Sequence, residues 1–158
     1  MLDEMERMVF EILNNDNSGH GMDHILRVKD LSLRFAKAED ANREIVEIAS
    51  LLHDVDDYKI VGIENAKSLT HAKRILNKVN VSENIQIQIL NIIQNMSYSK
   101  SLKGIRPTTL EGKIVSDADM CDALGAHGII RSIVYAVSDK GNGIIFDNNI
   151  YPNMDITA

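Results

Sequence analysis

The dipeptide His53-Asp54 closes an apolar run, Ala49-Ser50-Leu51-Leu52, with two side chains able to bind a cation. Neighbouring residues on a helix point about 100° apart, since a turn holds about 3.6 residues. Both groups still reach one ion lying over the helix surface. Ionisable groups at the inner end of an apolar stripe are costly unless something compensates them. Taken alone, the pair reads either as a His closing the helix with a capping Asp or as two groups compensated by a divalent metal ion.

Two further clusters carry chemistry. His24 and Arg27 are three residues apart and share a helical face. An imidazole beside a guanidinium suits a metal-bound phosphate, because Arg forks onto phosphate oxygens. His20 stands four residues before His24 but between Gly19 and Gly21, which places it just ahead of the helix. The acidic cluster Ser116-Asp117-Ala118-Asp119-Met120-Cys121-Asp122 interrupts two apolar segments. An acid within an apolar helix needs a partner, and Asp117 and Asp122 are singled out on that ground. Asp119 reads as a helix cap or a solvent-facing residue. His71, with no acidic companion in sequence, and His127, among small residues, read as structural. Cys121 reads as a small core residue.

Helices must position these groups. Amphipathic spacing predicts helices over 3–14, from a cap at Asp23 to about Lys37, and over 43–53. Further helices are predicted over 64–78, over 83–96 behind a cap at Ser82, over 109–120, and on to about Val137. Residues 97–106 and 138–143 read as loops, and the last fifteen residues show no helical pattern. Strand-like alternation is weak throughout.

Composition agrees with an all-α fold. Aromatics are only 4% of 158 residues and Trp is absent, so aliphatic side chains and Met must fill the core. That favours helix on helix in a single domain over 1–158. A net charge of −6, without a basic run, speaks against long nucleic acid as a partner. A small phosphorylated ligand remains compatible. The lone cysteine fits a reducing compartment. The acidic start lacks the pattern of a signal peptide, and no apolar run reaches membrane-spanning length, so a cytoplasmic location away from membranes is expected.

In order, His24, His53-Asp54 and Asp117 spell H…HD…D. On the stretches 22–28, 49–57 and 111–126 the chain resembles the HD-domain superfamily of metal-dependent phosphohydrolases, in particular its small bacterial nucleotide pyrophosphohydrolase-like branch. The resemblance covers about 18–137. It implies a helical bundle of about six to seven helices, with His24, His53, Asp54 and Asp117 as metal ligands. Such a donor set suits Mn²⁺, Mg²⁺, Fe²⁺, Co²⁺ or Ni²⁺. The implied activity is hydrolysis of a small phosphate ester or anhydride, a nucleotide by preference, through a metal-activated water.

Around the ligands, Asp57 is read as the group that orients or deprotonates the water. Arg27 and Lys59 are read as phosphate clamps, and His20 as a proton donor or phosphate contact. Asp122 is read as holding a ligand or basic residue in place. Phosphodiesterase or alarmone hydrolase activity, or a degenerate domain acting as nucleotide sensor or interaction module, are the competing readings. The resemblance implies further helices beyond Gly143. A shortened C-terminus, with an irregular tail over 138–158 and apolar surface left for a second subunit in a homodimer, is therefore expected.

Overall fold

The computed structural model describes residues 1–14, 19, 21–138, 141–145 and 149, and for Lys59 the backbone alone. The tail expected over 138–158 lies for the most part outside them. The described residues form helices and connections without strands. In chain order the helices are α1 (Leu2–Leu13), α2 (Met22–Ala38), α3 (Arg43–Leu52), α4 (Tyr58–Val61), α5 (Ile63–Ser68), α6 (Thr70–Lys78), α7 (Glu83–Asn95), α8 (Tyr98–Leu102), α9 (Leu110–Asp122) and α10 (Gly125–Val137). The all-α expectation holds. Seven of these helices have nine or more residues; α4, α5 and α8 are the short additions to the six or seven expected.

Helix α3 is the centre. Ile45, Val46, Ile48, Ala49, Ser50, Leu51 and Leu52 are all buried, leaving it almost no solvent face. Beyond its exposed start at Arg43 and Glu44, so broad an apolar surface must be covered on several sides, and α1, α2, α7 and α9 pack against it. Its start is fixed by Asn42, whose Oδ1 accepts from the amides of Glu44 and Ile45. The stripe His24, Ile25, Val28, Ser32 and Ala36 turns α2 inward. Its N-cap is Gly21 rather than Asp23, which lies in the first turn.

Helix α9 approaches α7 closely at Gly112. A Cβ there would lie 2.5 Å from Pro107 Cβ and 3.1 Å from Ile92 Cγ1. Thr109 Oγ1 caps the helix by accepting from the Gly112 amide. Helix α10 then leaves Ile129, Ile130 and Val137 exposed, which is the kind of apolar surface on which the homodimer expectation rested.

Two predicted elements differ. The helix expected over 64–78 breaks at Leu69, whose φ of 51° is left-handed. Buried Asp56 enforces the break. Its Oδ1 accepts from the His71 amide at 3.0 Å and its Oδ2 from the Ala72 amide at 2.8 Å. These are orphan donors of the first turn of α6. The His71 ring also meets Asp56 Oδ1, at 2.9 Å, so His71 does have an acidic companion, brought by the fold from fifteen residues away. The loop expected over 97–106 contains α8, capped by Ser97 Oγ.

Replacing Asp56 with Ala strands these amides in a buried setting. The expected cost is about 2–3 kcal/mol, read as a lower urea midpoint at unchanged m-value. A loss below about 0.5 kcal/mol would show that the fold holds α6 without this carboxylate.

Candidate metal centre

Three helices bring their ends or faces together at one point. His24 sits in the first turn of α2. His53 is the C-cap of α3, with φ −61° and ψ −32°, and Asp54 follows in the turn. The pair thus marks a helix terminus rather than two positions within a helix. Asp119 comes from α9, four residues past buried Val115 and one past buried Ala118.

The donor atoms converge. His24 Nε2 lies 3.2 Å from His53 Nε2. Asp54 Oδ2 lies 3.4 Å from His24 Nε2 and 3.5 Å from His53 Nε2. Asp119 Oδ1 lies 3.4 and 3.8 Å from the same two nitrogens. Atoms each about 2.0–2.2 Å from one ion stand about 3.0–3.5 Å from each other. His24, His53 and Asp119 therefore form a cluster able to hold a metal ion, every ligand atom within 4.8 Å of the others.

The far side of each imidazole settles its tautomer. His53 Nδ1 donates to the Ser50 carbonyl at 2.7 Å. His24 Nδ1 donates to Asp122 Oδ2 at 2.8 Å. With the proton on each Nδ1, each Nε2 turns a lone pair toward the other, the arrangement in which His binds metals. Two lone pairs facing each other beside two carboxylates need a cation between them. In the metal-free chain a proton takes that role on His24. Burial opposes its charge, but the Asp119 and Asp54 carboxylates prevail and raise its pKa to about 10. An ion held between these atoms would have to displace that proton, so acid would oppose its binding.

Asp122 anchors the arrangement. Besides His24, it accepts from Arg27 Nε at 2.7 Å and Arg27 Nη2 at 3.1 Å. Arg131 Nη1 donates to it at 3.0 Å, and Arg131 Nε reaches the Gly19 carbonyl. Burial disfavours the Asp122 carboxylate, yet hydrogen bonds from Arg27 and His24 outweigh it and hold the pKa down at about 2.

The expected residues fare differently. His24, His53 and Asp54 meet as anticipated. Asp117 does not: it is exposed, and Asp119 brings the second carboxylate to the cluster. Two residues along a helix turn the side chain about 200°, so the two acids face opposite ways. The signal was present, since Val115, Ala118 and Asp122 define a buried stripe that contains 119 and excludes 117. Arg27 is no free phosphate clamp. Its remaining Nη1 donates to Asp23 at 2.8 Å, so each of its three nitrogens donates to a carboxylate. Asp122 is hydrogen-bonded to His24, Arg27 and Arg131. Asp57 is partly buried beside the site, where its amide donates to the Asp54 carbonyl at 3.0 Å. Lys59 lies on α4, its side chain outside the described set, and His20 lies outside the described residues. His127 is exposed, and Cys121 half-buried. Arg131 was missed, because the break between α9 and α10 removes any periodicity linking 122 to 131.

Asp122 is depressed relative to its ordinary value of 3.8. A depressed carboxylate contributes stability that is complete above its unfolded pKa and fades as pH falls toward its folded one. In chelator, Asp122→Asn is expected to lower stability by about 2 kcal/mol at pH 6–7. The gap to wild type should close between pH 4 and pH 2, the interval set by the two values. Denaturant titrations across that range give the measurement, and a gap constant with pH would refute the linkage.

With this geometry in view, comparisons with known proteins are informative. The family model of the HD domain matches residues 21–124. The Bacillus subtilis protein YpgQ is 34% identical over 146 residues, covering 92% of this chain and 70% of its own length. The crystal structure of YpgQ in complex with ADP superposes with a TM-score of 0.69 at 31% identity, over 86% of this chain and 67% of YpgQ. A Lactobacillus plantarum protein of known structure gives 0.80 at 38% identity, covering 99% of this chain and 70% of its own. An HD-superfamily hydrolase from Bacillus thuringiensis gives 0.70 at 33%, over 96% and 71%. About three tenths of each relative thus has no counterpart in the match. The stretch that matches holds the convergent histidines, the HD turn and Asp119, and on that ground the chain belongs to the HD-domain family of phosphohydrolases.

Proposed function

We propose that this chain hydrolyses a small phosphate ester or anhydride, a nucleotide by preference, at a divalent metal held by His24, His53, Asp54 and Asp119. The observation that carries the reading is the pair of Nε2 atoms 3.2 Å apart, flanked by two carboxylates. Nothing in a merely structural helix junction calls for four metal-binding groups at one point. The ADP bound by the relative YpgQ supports a nucleotide as substrate.

When bound, a divalent ion supplies Lewis acidity toward a phosphoryl oxygen and lowers the pKa of a water. The chain's own residues do the rest. Asp122 and the Ser50 carbonyl keep both histidines in the ligating tautomer. Arg27 and Arg131 keep Asp122 ionised, so that it remains an acceptor. Asp57, partly buried three residues beyond Asp54, is the base we assign to an attacking water. Mn²⁺, Mg²⁺, Fe²⁺, Co²⁺ and Ni²⁺ are all compatible with two imidazoles and two carboxylates.

The test compares two neighbouring acids. Asp119→Asn should lose stoichiometric Mn²⁺ by elemental analysis and at least 100-fold in kcat/KM, a loss of about 2.7 kcal/mol in transition-state stabilisation. Asp117→Asn should keep metal content and stay within about two-fold of wild type. His53→Ala and Asp54→Ala should behave as Asp119→Asn does. A panel of nucleotides with Mn²⁺, scored separately for phosphate and pyrophosphate release, identifies the bond cleaved. A wild-type protein that binds no stoichiometric metal and releases neither product would refute the enzyme reading.

A further inference from the structure

Helix α10 is amphipathic with its faces reversed. Its inward side carries Gly128 and Arg131. Gly128 is buried, and a Cβ there would lie 1.9 Å from the Ala123 carbonyl oxygen. Arg131 donates to Asp122 and to the Gly19 carbonyl. The outward side carries Ile130, Ile133, Val134 and Val137, at the i, i+3, i+4, i+7 spacing of a single helix face, with Ile129 beside them. Ile129 is 65% exposed, Ile130 58% and Val137 59%. The chain that follows does not cover this stripe among the described residues. The Gly143 amide returns to the Ala136 carbonyl at 2.7 Å, yet Ile144 and Ile145 behind it are exposed as well.

Such a stripe is costly in water. By their fractional exposures the five side chains uncover on the order of 500 Å² of apolar surface, toward the top of the largest patches that monomers show. Charge selects what covers it. At net charge −6 the chain repels its own copies and an anionic lipid surface alike. The stripe holds no Lys, Arg, Asp or Glu, and Arg131, the one charged residue of α10, is turned inward onto Asp122. Two copies can therefore meet here without opposing like charges. A membrane surface would instead call for Lys and Arg flanking the apolar face.

The area also fits a second copy. Two such stripes bury about 1,000 Å² of apolar surface, and homodimer interfaces are about 65% apolar. The whole contact then comes to about 1,600 Å², the standard size of a stable interface. A two-fold contact is self-complementary, and ridges at three- and four-residue spacing fit the grooves of an identical helix.

We propose that a second copy of this chain covers the stripe, α10 packing on α10 across a two-fold axis. The contact is independent of what the chain hydrolyses.

Sedimentation equilibrium of the full chain at about 50 μM, above the weakest affinity expected of this area, tests it. The wild type should show twice the chain mass. Ile130→Glu with Ile133→Glu should weaken association at least 100-fold and leave a folded monomer, judged by unchanged helical circular dichroism. Ile87→Glu, at an exposed isoleucine of α7, should stay dimeric. Amide exchange of the wild type supplies a reading without variants: residues 129–137 should become slower as concentration rises, with α7 unchanged. A wild type of single-chain mass overturns the proposal, and its flotation with vesicles of phosphatidylcholine and phosphatidylglycerol would assign the stripe to a membrane. A dimer indifferent to the two glutamates, or lost equally in Ile87→Glu, overturns it as well. Should the double variant lose its helical signal, exchange across α10 that ignores concentration overturns the contact.

Discussion

The buried carboxylate of Asp122 is the constraint on which the site depends. It lies among four hydrogen bonds, two from Arg27 and one each from Arg131 and His24. Those donors come from α2 and α10, while Asp122 closes α9, so one carboxylate ties three helices. An unpaired buried carboxylate would be strongly unfavourable, and so would either guanidinium without it. The cluster is stable only as a whole. Its position also decides what His24 can do, because the hydrogen bond to Nδ1 leaves Nε2 as the ligating atom. The Arg131 link to the Gly19 carbonyl extends the same network to the approach to α2.

Much of this was legible in the chain. The helix periods of α1, α2, α3, α7 and α9 came through, because each buries one stripe or, for α3, nearly everything beyond its first two residues. His53 and Asp54 stood out as a costly ionisable pair at the end of an apolar run, and His24 through its spacing to Arg27 and the H…HD…D order of the family it resembles. What was lost follows from the same physics. Asp117 and Asp119 differ by two positions, and motif order alone gives no face; only the stripe through Val115, Ala118 and Asp122 does. Arg27 looked available because its partner Asp122 is 95 residues away. The companion of His71 was hidden because Asp56 meets it through a left-handed residue, Leu69, whose conformation has no compositional signal when the residue is not Gly. The same break split a pattern that reads as one helix over 64–78.

The turn after α3 shows how a few residues serve separate ends. His53 and Asp54 face the metal cluster, Asp56 caps α6, and Asp57 opens α4 through its carbonyl. A continuous helix would fix the directions of these side chains at about 100° per residue. Ending α3 at Leu52 frees the backbone to distribute them. The apolar run that made His53-Asp54 conspicuous is thus the support of the turn. Seven buried residues of α3 hold its end fixed, so the turn inherits a rigid base.

Rigidity of this kind has an energetic consequence. The fold gathers His24, His53, Asp54 and Asp119 before any ion arrives, at the expense of bringing two anions and two lone pairs together. In the metal-free chain that strain is relieved by a proton, as the raised pKa of His24 indicates. A divalent ion held there would interact with every donor at once and not with one nitrogen. A ligand that binds the folded chain and not the unfolded one stabilises the fold by mass action. Metal occupancy and folding would therefore be linked at this site, with proton concentration entering both through the His24 imidazole.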